Sequence, residues 1–316
     1  DSRKKNIVIA IMVAMFLAAI EVTVVTTAVP TIVRALDGLE LISWVFSLYL
    51  LTSAVSTPIY GKLSDLYGRK NTLSAGIIIF LMGSTLCGLS RNMYQLIIFR
   101  GIQGLGAGAV FTLTYTIVGD VFSLEERAKV QGWLSSVWGI ASLAGPFFGG
   151  FLIETLSWNW IFFINIPFGI LSVILLKKNL KESFEKKRHK MDIAGTFFLS
   201  ASILVLLYGI LSEGRVGRTI ILTAVLLAVF YLIEKKAEEP IIPFEVFTRA
   251  NTVINIICFL LAAVLIGIDV YMPVYIQNVL GFGAAISGLS LSPMSIAWIL
   301  STVILSKGIP KYGERL

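Results

Sequence analysis

Long apolar runs separated by short polar turns set the pattern of this 316-residue chain. Ten runs can be drawn, over residues 7–30, 42–60, 72–90, 94–118, 131–154, 159–176, 192–212, 218–234, 252–276 and 285–305. Each is about 17–25 residues long, which as helix matches a hydrocarbon core about 30 Å thick. None alternates with the period of two that a barrel strand needs, so the pattern predicts membrane-crossing helices. The expected fold class is an all-α polytopic membrane protein.

The connectors divide the chain into three parts. Residues 1–176 hold six runs on short turns and read as a six-helix N-terminal half. Residues 177–250 hold the longest charged connector (Lys177–Lys190), two extra spans, and a surface linker at Glu234–Thr248. Residues 251–316 read as the start of a second half. A weak repeat at an offset of 245 supports this: Gly61–Lys70 aligns with Ser306–Arg315, identical at three of ten places. The same offset sets Ile7 against Thr252, the starts of the first and ninth runs, and such repeats are common in transporters. The chain opens on Asp and stops soon after a span, so it reads as part of a longer protein.

Composition agrees with this pattern. The chain is 56% hydrophobic and 14% charged, against about a quarter charged in globular proteins. The net charge of +7 is not a nucleic-acid footprint, because the basic residues are sorted by side. With the N-terminus inside, 21 Lys and Arg fall in inner segments and 4 in outer ones, with Arg100 inside a span. This asymmetry orients the chain with its N-terminus in the cytoplasm of a cell membrane. Membrane lipids are then obligate partners, and the basic connector is read as a topology anchor rather than a lipid site. No cleavable signal peptide is evident. Cys87 and Cys258 have neither metal nor redox spacing, so no disulfide, metal or organic cofactor is expected. The aqueous segments show no nucleophile–base set and no phosphate loop, so the chain is not read as an enzyme.

Four motifs carry the functional reading. The first is the turn Gly61–Lys70. Gly61 and Gly68 allow tight geometry, Asp65 is placed to accept hydrogen bonds from free helix-end amides, and Lys62, Arg69 and Lys70 hold the turn at the inner surface. This turn resembles the G-x-L-x-D-x-x-G-R-[KR] loop of the major facilitator superfamily, which implies a conformational gate made by Gly61, Asp65, Gly68, Arg69 and Lys70. The second is Arg100-Gly101-Ile102-Gln103-Gly104-Leu105-Gly106-Ala107-Gly108. It places a costly arginine inside a span and resembles the fourth-helix motif of drug:proton antiporters. The third, around Gly145, Pro146, Gly149 and Gly150, sets small residues four apart on one face, with a proline kink. It resembles the fifth-helix antiporter motif. The fourth comprises Ala19–Pro30 and Trp158–Pro167. Both stretches resemble the 14-span, EmrB/QacA-like exporter group, with Glu21 in place of aspartate and Asn159 in place of arginine. The resemblance covers essentially the whole chain. It implies the major facilitator fold, with about ten of fourteen helices present and four beyond Leu316.

Three charges lie well inside spans, at similar depth in the outer half. At about 1.5 Å per residue, Glu21 is roughly 13 Å, Arg100 roughly 9 Å and Asp269 roughly 10 Å from the outer ends of their runs. Helices one and four are neighbours in the family fold, so Glu21 and Arg100 are expected to communicate, directly or through water. Glu21, Arg100 and Asp269 are the candidates for proton coupling, with protons as the only coupling ion. A static structural pair is the competing reading for Glu21, and an aqueous vestibule position the one for Asp269. Gln103, Tyr49, Trp138 and Phe46 are candidates to line a substrate cavity, against ordinary helix packing.

The leading functional expectation is proton-coupled export of small lipophilic, often cationic compounds by alternating access. A specific metabolite exporter on the same fold and a non-transporting membrane sensor or regulator remain as alternatives. A monomer is expected, and the need for a periplasmic adaptor is not readable from the sequence.

Overall fold

The computed structural model describes residues 2–180, 192–211, 216–238, 240–242, 244–298, 300 and 301. Helices dominate: α1 Ser2–Leu36, α2 Ile42–Tyr67, α3 Arg69–Gly88, α4 Met93–Val121, α5 Leu124–Thr155, α6 Trp160–Phe163, α7 Asn165–Asn179, α8 Ile193–Leu211, α9 Val216–Glu234, α10 Arg249–Asn278 and α11 Ala284–Leu289. Among the described residues nine helical spans are long and apolar enough to cross a membrane, with α6 and α7 sharing one. The first nine runs each fall on one of these spans. The tenth, 285–305, is split: α11 stops at Leu289, a turn follows at 290–291, and residues 292–298 are helical again. Residues 299 and 302–305 of that run, most of the connector Lys177–Lys190 and the repeat partner Ser306–Arg315 lie outside the described residues.

Several helices outrun their apolar stretches because local chemistry, not hydropathy, ends them. Ser123 and Glu126 form a reciprocal capping box at the start of α5, satisfying amides that have no partner within the helix. Asn92 caps α4 through the Gln95 amide, and Thr248 caps α10 through the Asn251 amide. Between α2 and α3 only Gly68 intervenes, at φ +89°, a conformation that favours glycine. The α6–α7 span breaks at Ile164. Pro167 explains the break, since it has no amide for the Phe163 carbonyl and its ring crowds that carbonyl.

The packing resolves into two groups of three. In one, α4 lies against both α2 and α3. In the other, α1 lies against α5 and α7. Glycines set the first group. A Cβ on Gly104 would stand 2.3 Å from the Tyr49 carbonyl oxygen of α2, and one on Gly106 2.6 Å from the Gly76 carbonyl oxygen of α3. Gly145 does the same in the second group, where a Cβ would meet Thr23 Oγ1 of α1 at 2.0 Å. The apolar core has a layer at the N-terminal face built around Ile11, Met15, Leu73 and Leu113. A second layer, around Ile20, Val25, Leu96 and Phe162, fills the opposite half. Helices α8 and α9 pair as a hairpin that touches α2 through α8, where Trp44 and Tyr208 meet. Helix α10 touches α1 and α11 and leaves Ile254, Phe259, Leu261 and Val264 exposed.

Candidate functional site

The seam between the two helix groups holds a buried polar cluster. Glu21 of α1 and Arg100 of α4 form an ion pair at 2.7 Å, each side chain 1% exposed. The pairing is direct. Arg100 also donates to Gln103 Oε1 at 2.9 Å and to the Val45 carbonyl at 3.3 Å. Its guanidinium lies 4.1 Å from the centre of the Tyr49 ring, a cation–π contact. The second Glu21 oxygen accepts from Asn165 Nδ2 at 2.6 Å, and the same amide nitrogen lies 2.9 Å from Ser84 Oγ. Ser84 in turn donates to the Phe162 carbonyl at 2.8 Å. Cys87 contacts Gln103 Oε1 through its sulfur at 3.7 Å. A buried pair of charges is tolerable only when hydrogen bonds satisfy its remaining sites, and these neighbours supply them. Three buried polar atoms beside the pair, Tyr49 Oη, Gln103 Nε2 and Asn165 Oδ1, have no hydrogen-bond partner among the described residues.

The structure separates the four cavity candidates. Tyr49 and Gln103 are buried inside the charge cluster rather than lining an open space. Phe46 lines a cavity of about 720 Å³ between α1, α2 and α10, together with Arg34 and Tyr271. Trp138 lines another, of about 360 Å³, with Tyr115, Trp298 and Asp269. Asp269 is therefore not part of the Glu21–Arg100 cluster. Its carboxylate faces an aromatic-walled space and makes no ion pair or hydrogen bond with any described residue.

The turn Gly61–Lys70 closes the opposite end of the α2–α3–α4 group. Asp65 sits in the last turn of α2, where carbonyls rather than amides are free, so it does not accept from helix-end amides as its position in sequence suggests. Arg69 engages it instead, bonding to Asp65 and Ser64, and reaches Asp120 Oδ2 at the end of α4 at 3.0 Å. Gly61 borders open space, and Lys70 keeps a polar contact. Nearby, Lys4 pairs with Glu126 at 2.7 Å, tying α1 to α5. Lys4 and the Ser123 amide hold the Glu126 carboxyl below the usual carboxylate range.

In the fifth-helix motif, Gly145 and Gly149 face α1 at Thr23 and Thr27, whereas Gly150 meets nothing within 4 Å. Helix α5 runs unbroken through position 146. Thr23 Oγ1 donates to the Ala141 carbonyl at 3.1 Å, fastening this face. Asn159, which departs from the exporter pattern, donates to the Gly88 carbonyl at the end of α3 at 2.7 Å.

Two members of the buried cluster, Asn165 and Ser84, carry no role in the sequence reading. Asn165 is visible there only as a motif letter before Pro167. The signal that could have found it is its place two residues before Pro167, at the point where the broken helix resumes with a polar side chain facing inward.

This arrangement of bundled spans, with charges buried between two helix groups, is that of a multi-pass membrane protein. The fold matches that of a solved xylose transporter, XylE from E. coli, with a TM-score of 0.65 at 15% identity, over 98% of this chain and 74% of that one. The sequence matches the Major Facilitator Superfamily over residues 11–316, and the chain belongs to that family of transporters, which are not enzymes. It is 36% identical to "Multidrug transporter protein MdtP" of Bacillus subtilis, over 99% of this chain and 60% of that protein. It is 37% identical to "Multidrug resistance protein 3" of the same organism, over 95% and 60% respectively. With "Multidrug efflux pump SdrM" of Staphylococcus aureus it shares 35% identity, over 92% and 66%. The chain thus spans about 60% of the length of the first two of these relatives.

Proposed function

We propose that the whole protein to which this chain belongs is a proton-coupled exporter of lipophilic, often cationic compounds, in the 14-span group of drug:proton antiporters. The observation that carries this reading is the dry ion pair between Glu21 and Arg100 across the seam of two helix groups. Burying an ion pair is a weak way to gain stability, and ionisable groups inside membranes are costly and usually functional. Protonation of Glu21 would neutralise its half of the pair and release Arg100, freeing the seam to shift. In the same scheme the unpaired carboxylate of Asp269, walled by Trp138, Tyr115 and Trp298, receives the substrate cation or a proton, but not both. That competition makes export and proton entry obligatorily exchange. The N-terminus and the turn Gly61–Lys70 face the cytoplasm, on the strength of the charge asymmetry.

The full-length protein in proteoliposomes tests the proposal. Ethidium is expected to move against its gradient when a pH gradient is imposed, and a protonophore is expected to stop it. Glu21→Gln should abolish the pH-driven component. Unchanged proton-driven transport by that variant would remove Glu21 from the coupling step. Failure of the wild type to move any tested dye would favour a specific metabolite exporter or a non-transporting regulator.

A further inference from the structure

Glu21 changes its hydrogen-bonding needs when it takes a proton. As a carboxylate it accepts only; once protonated, one oxygen must donate. Inside a dry seam an unmet donor costs about 1–3 kcal/mol, so a coupling carboxylate needs a neighbour able to serve both forms. Arg100 cannot, because it has no acceptor. The titratable groups facing Glu21 are Arg100 from α4, Tyr49 from α2 and Cys87 from α3. Helix α5 lies against α1 through Ala141 and Gly145 and brings no titratable group to this point. From α7 the contact is Asn165, whose side chain is 0% exposed.

Asn165 has the required chemistry. Its amide carries donors on Nδ2 and an acceptor on Oδ1. The donor is engaged with Glu21 Oε2 at 2.6 Å, while Oδ1 is buried and unpartnered. A buried acceptor left without a partner requires an explanation. A half-turn about the terminal torsion exchanges Nδ2 and Oδ1 and brings that acceptor to Glu21.

We propose that Asn165 is a positioning residue for proton exchange at Glu21, donating through Nδ2 to the carboxylate and, after an amide half-turn, accepting through Oδ1 from the protonated acid. The proton that binds Glu21 comes from solvent and returns to it; the amide gains and loses none. In the accepting conformer Ser84 Oγ can donate to Oδ1 in place of the Phe162 carbonyl, so the contact between α7 and α3 survives the half-turn. This inference rests on the proton-coupling role of Glu21.

The test uses the full-length protein with infrared difference spectroscopy between acid and neutral pH, alongside proton-driven ethidium transport. In the wild type a carboxylic C=O band should appear that Glu21→Gln removes. Asn165→Leu, similar in volume but without the amide, should move that band to higher wavenumber and slow proton-driven transport at least tenfold. Asn165→Gln, which keeps both amide functions, should restore much of each. A Glu21 band that Asn165→Leu leaves in place, with transport unchanged, overturns the role of Asn165 alone. Absence of any band sensitive to Glu21→Gln overturns both this role and the coupling role of Glu21. Should Asn165→Leu not yield folded protein, Asn165→Ala decides: its Glu21 band must lie at higher wavenumber than that of Asn165→Gln, and bands at the same position in the two variants refute the contact.

Discussion

Replacing Arg100 by Met, Glu21 by Met, and both together measures what the buried pair contributes. Arg100 makes a 2.7 Å ion pair, a 2.9 Å hydrogen bond to Gln103, a longer one to Val45 and a cation–π contact with Tyr49. Removing one partner of such a pair leaves the other charge buried without compensation, at a cost of about 3–5 kcal/mol. Each single substitution should therefore destabilise by roughly that amount. Replacing both with apolar side chains removes the stranded charge, and such exchanges are often neutral or stabilising. Here the double variant also strips partners from Gln103 and Asn165, at about 1–3 kcal/mol for each group left unsatisfied. Its loss, about 2–6 kcal/mol in all, should then fall short of the roughly 6–10 kcal/mol sum of the two single losses, giving a coupling energy of about 4 kcal/mol. The assay is denaturant unfolding of the full-length protein in mixed micelles, completed as a double-mutant cycle. Additive losses, within about 0.5 kcal/mol, would refute a direct dry pair. Proton-driven transport should vanish in all three variants.

The remaining predictions concern packing and the N-terminal face. Gly145→Ala places a methyl group 2.0 Å from Thr23 Oγ1 and should cost about 1–3 kcal/mol through overpacking, read from the thermal midpoint in detergent. Gly150→Ala, with open space at its Cβ, should be nearly silent in the same assay. Arg69→Ala releases Asp65 and Asp120 together; because these groups are partly exposed, stability should change by about 1 kcal/mol or less. Transport should fall much further, because the far end of the α2–α3–α4 block is then no longer held together. Glu126 is held below its ordinary value of 4.5 by Lys4 first, then by the Ser123 amide. A depressed carboxyl contributes its stabilisation above the unfolded value and loses it as pH falls through the folded one. The link between α1 and α5 should thus loosen only below about pH 4.5, seen as faster amide exchange in the first turn of α5. Glu126→Gln should remove that acid dependence.

Much of this architecture is legible in the chain because hydrocarbon leaves so few options. Spans must be helical and about 20 residues long, so nine of the ten runs coincide with observed spans. Their ends were less legible, since caps such as Ser123 and the Pro167 break act through hydrogen bonds that hydropathy does not see. The pairing of Glu21 with Arg100 followed from similar depth and from helices that are neighbours in the family fold. Asp269 shares that depth but sits on α10, away from the pair, because depth fixes one coordinate and not the other two. Tyr49 and Gln103 had the look of cavity residues for a related reason: a polar or aromatic side chain in a span signals burial beside something polar. Only the packing shows that this something is Arg100. Asn165 went unread because an asparagine beside a proline is ordinarily turn chemistry.

The two charged sites are joined by one rigid element. Arg100 and Asp120 both belong to α4, twenty residues apart in a continuous helix and therefore about 30 Å apart. Between them the glycines hold α4 in backbone contact with α2 and α3, so these three helices move together or not at all. The Glu21–Arg100 pair fastens that block to α1, and the Asn165–Ser84 contact fastens α7 to α3. Both fasteners cross the same seam, and the first depends on the charge of one carboxylate. The Arg69 contacts with Asp65 and Asp120 lie wholly within the block, so they do not resist motion along the seam; they keep its far end intact while it moves. Loss of charge at Glu21 thus loosens the seam without softening the block. A spin-label pair on α1 and α4 should broaden in Glu21→Gln while a pair on α2 and α4 stays sharp, and equal broadening of both would show that the helices do not move as a block.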